Sequence, residues 1–105
     1  MINLNSVSSE LAPDPNRIRW NNFTNQLRGT HLFAKVHAAS EAETVGNAIS
    51  TNYQLLLFAL GSSRNEQDLQ FAAVRLVTAM GENLSFEDID ELNLLLSDYK
   101  FGFTL

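Results

Sequence analysis

Apolar residues recur at three- and four-residue spacing along most of this chain, and the polar residues between them fall on other faces. From Pro15 to Arg28 the apolar positions are Trp20, Phe23 and Leu27, while Arg17, Asn21, Thr24 and Arg28 form a polar stripe. Asp14 suits the N-cap of this helix and Pro15 its first position, where a missing N–H costs nothing. Gly29 closes it. Thr30 then caps a second segment, residues 31–39, in which Leu32, Phe33 and Val36 are the expected buried set.

The next stretch organises the rest. Val45, Ile49, Leu56 and Leu60 share one helical face, with Ala42, Ala48 and Ala59 close by and Glu43, Asn47, Ser50 and Gln54 opposite. Ser40 and Glu43 match the S-x-x-E capping box, so the spacing predicts a central helix that starts at Ser40 or continues the segment before it. Leu55, Leu56, Leu57 and Phe58 point in four directions on a helix, and all are apolar. The end of this helix, residues 53–60, is therefore expected to be surrounded by protein. Gly61 follows as a C′ residue should.

Asn65 caps a fourth helix with Glu66 and Asp68 in its first turn, where the helix dipole favours acids. Leu69, Ala72, Ala73, Leu76, Val77 and Met80 are its predicted core face, and Gly81 ends it. Ser85 and Asp88 make a second capping box, with Leu84 and Ile89 placed as a hydrophobic staple. Ile89, Leu92, Leu95, Leu96 and Tyr99 form the buried side of the last helix, and Glu87, Asp90, Glu91 and Asp98 the exposed one. Residues 1–12 read as a short arm in which Ile2 and Leu4 could form an edge strand. Residues 101–105 alternate apolar residues and either pair with that arm or fold back on the helices. The fold class is all-α: a compact bundle of four to five helices in one domain spanning residues 1–105, with a short N-terminal arm and an apolar C-terminal tail.

Composition narrows the chemistry. With 105 residues, 45% of them hydrophobic and 18% charged, the chain has the make-up of a folded domain. It has no cysteine, which removes disulfides, thiol catalysis and cysteine-held metal. The net charge is −5 and is unevenly placed: residues 1–52 hold four Lys/Arg and four Asp/Glu, residues 53–105 three and eight. The opening MINLNSVSSEL has neither a basic n-region nor a long apolar run, so a cytoplasmic protein without membrane attachment is expected.

No catalytic or cofactor constellation assembles from the sequence. His31 and His37 do not share a helical face, and His37 with Glu41 gives two ligands where zinc takes three or four. The acids from Glu82 to Asp98 lack the calcium loop that would precede an EF-hand helix. No G-x-S-x-G and no phosphate-binding glycine loop occurs. The expectation is no enzyme, no cofactor and no metal.

Two surface features remain. Arg17, Arg28 and Lys35 lie in a stretch free of acids and could touch a polyanion or an acidic partner, including the last helix of this chain or of a second copy. Leu57, Phe58, Phe71, Val74 and Leu94 are the apolar residues a simple bundle explains least, and they form a candidate interface. The leading function is therefore a non-enzymatic protein–protein interaction module: an adaptor, assembly or regulatory subunit whose partner is another protein or a second copy. A nucleic-acid-associated regulator using the basic stripe is the alternative. A carrier of small apolar ligands, with a pocket near Trp20, Phe33 and Phe58, is a further one.

Overall fold

The computed structural model describes residues 14–44 and 46–105, and these form a bundle of five α-helices without a strand. The helices are α1 (Pro15–Arg28), α2 (His31–Ala42), α3 (Ala48–Phe58), α4 (Glu66–Met80) and α5 (Phe86–Asp98). The expected arm, with Ile2 and Leu4, lies outside the described residues, as does Val45.

Local chemistry starts most of these helices where the sequence placed them. Asp14 accepts from Asn16 N–H at 3.0 Å, and Thr30 from Phe33 N–H at 3.1 Å. Asn65 accepts from Gln67 and Asp68 N–H. At α5 the capping box is complete: Ser85 N–H donates to Asp88 at 2.9 Å and Asp88 N–H to Ser85 Oγ at 3.2 Å. Trp20, Phe23, Leu27, Leu32, Val36, Leu69, Ala72, Leu76, Met80, Leu92 and Leu96 are buried and share one core with Tyr53, Leu56, Ala59 and Leu60. Ile89, Leu95 and Tyr99, expected in the buried face of α5, are only half-buried.

The central helix departs from expectation at both ends. Ser40 does not open it. Ser40 sits inside α2, and its hydroxyl donates to the His37 carbonyl at 2.7 Å. The chain leaves the helix at Glu43, turns through Gly46 at φ +69°, and restarts at Ala48. Such a turn favours glycine, because a Cβ in the left-handed region clashes with the backbone. Glu43 still caps, but across the break: its carboxylate accepts from Ile49 N–H and Ser50 N–H, each at 3.0 Å, and from Ser50 Oγ at 2.9 Å. Those amides, the Ser50 one foremost, hold the Glu43 carboxyl below the usual carboxylate range.

At the other end Gly61 does not stop the helix. The chain continues through a π-helical turn, Ala59–Ser63, and Arg64 ends it in the left-handed conformation at φ 48°. The apolar run also fails to be buried all round. Tyr53, Leu56, Ala59 and Leu60 are buried and Leu57 is half-buried, but Leu55 and Phe58 face outward. Four consecutive apolar residues sweep the whole circumference of a helix, and α4 with the rest of the bundle covers only one side.

The tail folds back instead of pairing as a strand. Phe101 is buried, with its ring centroid 4.9 Å from Trp20 and 4.7 Å from Phe23. The Arg19 guanidinium carbon lies 4.5 Å from the Phe101 centroid and an Arg19 Nη donates to the Lys100 carbonyl. Asn93 holds Leu105 by both its backbone groups, at 3.0 and 2.7 Å.

Two outcomes follow for stability. Phe101→Ala removes a buried ring from Trp20, Phe23 and Phe103 and is expected to cost about 3–4 kcal/mol in urea unfolding, whereas Thr104→Ala, at an exposed site, is expected to be near neutral. Asp88 is held below the usual carboxylate range by the Lys35 ammonium first and the Ser85 N–H second. A depressed folded-state pKa gives stability that is complete above the unfolded value and is lost as pH falls through the folded one. Wild-type stability should thus fall below about pH 4, and Asp88→Asn should lose about 2 kcal/mol at neutral pH and flatten that fall. An unchanged acid limb in the variant would refute this assignment.

Candidate functional site

The outer side of the α3–α4 hairpin is built by one hydrogen-bond chain. Asn52, buried on α3, donates from Nδ2 to the Ala48 carbonyl at 2.7 Å, which turns its oxygen outward. Arg75 Nε on α4 donates to that oxygen at 3.1 Å. The Arg75 guanidinium then lies over the Phe71 ring, 5.1 Å from its centroid. This contact fixes which sides of the two helices adjoin. One turn from it toward the hairpin end lie Leu55 on α3 and Phe71 on α4.

Leu55, Phe58, Phe71 and Val74 are respectively 39%, 58%, 55% and 44% exposed. Phe71 and Val74 line one shallow depression with Gln67, Gln70 and Arg75. From Thr44 through Ser63 the sequence has no charged residue, and from Leu69 through Gly81 only Arg75. Between these stretches the hairpin end carries Arg64, Glu66 and Asp68.

The five apolar residues singled out from the sequence do not share one patch. Phe71 and Val74 belong together. Leu57 is half-buried and lines a different groove, between α1, α2 and α3, with Arg28, Phe33, Ala34, His37 and Tyr53. Leu94 is 65% exposed but sits on α5 beside Asp90 and Asn93. Leu55, in the apolar run expected to be covered and not among those five, is exposed.

The basic residues separate too. Lys35 donates to Asp88 on α5, so its acidic partner is the last helix of its own chain. Arg28 faces the groove with Tyr53. Arg17 is exposed on the first turns of α1. Asn21, on the same stripe, accepts from Arg64 at 3.0 Å and ties α1 to the π-helical turn.

That groove holds a three-residue relay. Tyr53 Oη lies 3.0 Å from His37 Nδ1, and His37 Nε2 lies 3.1 Å from a Glu41 carboxylate oxygen. A carboxylate only accepts, so the neutral imidazole carries its proton on Nε2 and accepts at Nδ1 from the Tyr53 hydroxyl. Burial pushes the Tyr53 phenol above its ordinary pKa, against the pull of Arg28 and with a smaller push from Glu41. The residues lining the groove include no serine, threonine or cysteine for the imidazole to activate. What the relay does is fix the Tyr53 ring, which also packs edge-on to Phe33 at 5.7 Å.

The proposed carrier pocket is not assembled from Trp20, Phe33 and Phe58. Trp20 packs on Phe101, Phe33 on Tyr53, and Phe58 faces outward. The space enclosed by the core side chains, between Leu27, Leu32, Leu56, Leu69, Leu76 and Leu92, measures about 20 Å³, where a small-molecule site needs roughly 300 Å³ or more.

Comparison with protein-family models, with curated proteins and with solved structures gives no match for this chain. The functional reading therefore rests on its own residues.

The relay has a direct check. In ultraviolet titration Tyr53 is expected to ionise above the ordinary phenol range, and Tyr53→Phe should delete that component. Loss of a component within the ordinary range instead would contradict the burial and hydrogen bonding described for Tyr53.

Proposed function

We propose that this protein is a non-enzymatic interaction module, an adaptor or assembly subunit, that binds a protein partner through the outer face of the α3–α4 hairpin. The observation that carries the reading is the exposure of Leu55, Phe58, Phe71 and Val74 on the hairpin, where Asp68 and Arg75 are the exposed charges of α4. Single exposed apolar residues are ordinary. Exposed aromatic residues with an arginine stacked on one of them match the composition of interface centres.

Other readings have less support. A nucleic-acid contact loses one of its three cations, since Lys35 is paired with Asp88. A carrier of apolar ligands lacks a cavity of suitable size in the core. Among the described residues no helix is long and apolar enough to cross a membrane, so the outer face of the hairpin is not a membrane span.

The test separates a binding face from a folding face. Phe58→Ser with Phe71→Ser is expected to keep helicity and to change the melting temperature by no more than about 5 °C, as for surface substitutions. The same pair should abolish co-purification with the partner from the source cells, while Ile18→Ser and Leu94→Ser should not. A large loss of melting temperature, or a partner retained by the double variant, would defeat this reading.

A further inference from the structure

The groove between α1, α2 and α3 is a separate place from the hairpin face, and its lining has a chemistry of its own. We propose that it binds a small carboxylic acid with an apolar body. Arg28 takes the carboxylate, and Phe33, Ala34 and Leu57 pack against the rest of the molecule.

Charge selects an acid. Arg19 is paired with Glu66 and Lys35 with Asp88, whereas Arg28 makes no ion pair among the described residues. No carboxylate lines the groove. Glu41, beside it, is engaged by His37 Nε2. The guanidinium of Arg28 is thus uncompensated, and its planar fork matches a carboxylate in a two-bond contact. Size and polarity select the body. Phe33 and Leu57 are half-buried and Ala34 is exposed. The space they border, open to solvent, measures about 350 Å³. Small-molecule sites run from roughly 300 to 1,000 Å³, so this one suits one or two rings or a short alkyl chain.

The relay gives the site a second donor. In the free protein the buried Tyr53 hydroxyl donates to His37 Nδ1 at 3.0 Å, so its hydrogen is already in use. When His37 takes up a proton, both of its ring nitrogens donate. Nε2–H keeps Glu41, and Nδ1–H now donates to Tyr53 Oη. The Tyr53 hydroxyl hydrogen is released to an acceptor in the groove, and an entering carboxylate is that acceptor. The charges facing His37 are Glu41 on its own helix, which favours the imidazolium, and Arg28 from the end of α1, which opposes it. A carboxylate on Arg28 cancels the opposition. Binding is therefore coupled to uptake of one proton from solvent at His37 Nδ1, and by reciprocity the affinity rises as pH falls.

The test uses naphthoate as the probe and naphthamide as its neutral counterpart, titrated into the full chain and followed by NMR of the backbone amides and of the imidazole nitrogens. Naphthoate is expected to bind with Kd at or below about 1 mM, moving the amides of Phe33, His37, Tyr53 and Leu57. Naphthamide should bind about 10-fold more weakly or worse. Arg28→Gln, at an exposed position, should leave the melting temperature unchanged and weaken naphthoate about 10-fold. Arg17→Gln, on the exposed first turns of α1, should stay within about 2-fold. At about pH 7.5 bound naphthoate should shift the His37 nitrogen signals from the Nε2–H tautomer toward the imidazolium and leave those of His31 in place. Affinity should rise about 5-fold or more from pH 8 to 6, a range in which the probe's own carboxyl stays ionised. Equal binding of naphthamide would reduce the groove to an apolar patch and overturn the proposal. So would equal losses in Arg17→Gln and Arg28→Gln, shifts centred on Phe71 and Val74, or no saturation by about 10 mM. Naphthoate bound with the His37 signals unmoved would overturn the proton coupling.

Discussion

The insertion of Phe101 between Trp20 and Phe23 is the contact on which the bundle's closure depends. It brings the last residues of the chain against its first described helix and sets an aromatic cluster across that junction. Arg19 completes it, with its guanidinium over the ring and a bond to the Lys100 carbonyl. Lys100 takes a positive φ of 64° to let the chain turn there. A non-glycine residue in that region is strained by about 1 kcal/mol or more, and burial of a phenylalanine, about 2–3 kcal/mol, outweighs it. With α1 held from below by the tail, α3 and α4 are left as the hairpin with an open outer side.

That open side is a consequence of packing geometry. Five helices around one core leave each helix a solvent-facing arc. On α1 and α5 polar and charged residues share the arc with Ile18, Phe86 and Leu94. On α3 and α4 threonine, glutamine, leucine, phenylalanine and valine share it with Asp68 and Arg75. Tyr53, Leu56, Leu69, Ala72 and Leu76 seal the inner side.

Much of the fold was legible because helix starts are local. Asp14 with Pro15, Thr30, Asn65 and the Ser85–Asp88 box each act within a few residues, so a short window of sequence contains the cause. The Ser40–Glu43 box misled for the same reason: its pattern is right, but whether Ser40 leaves the helical conformation depends on where the chain must turn, and Gly46 sets that. Gly61 misled because the π-helical turn absorbs an extra residue that no spacing rule announces. The site was legible in part. Phe58, Phe71 and Val74 stood out as unexplained apolar residues, yet Leu55 did not, and Leu57 and Leu94 proved to lie elsewhere. Lys35–Asp88 and Asn52–Arg75 are contacts between residues far apart in the chain, and periodicity holds no information about them.

One oxygen of Asp88 does two jobs: Oδ2 receives the Ser85 N–H that begins α5 and the ammonium of Lys35 from α2. A helix start is ordinarily a local event that can form and fray on its own. Here the first turn of α5 and its docking on α2 share an acceptor, so each raises the probability of the other. Nucleation, the costly step in making a helix, is thereby linked to a long-range encounter. The last helix is consequently bound into the cooperative unit at its beginning by Asp88 and at its far end by the Phe101 tail, so that its unfolding should follow that of the whole bundle.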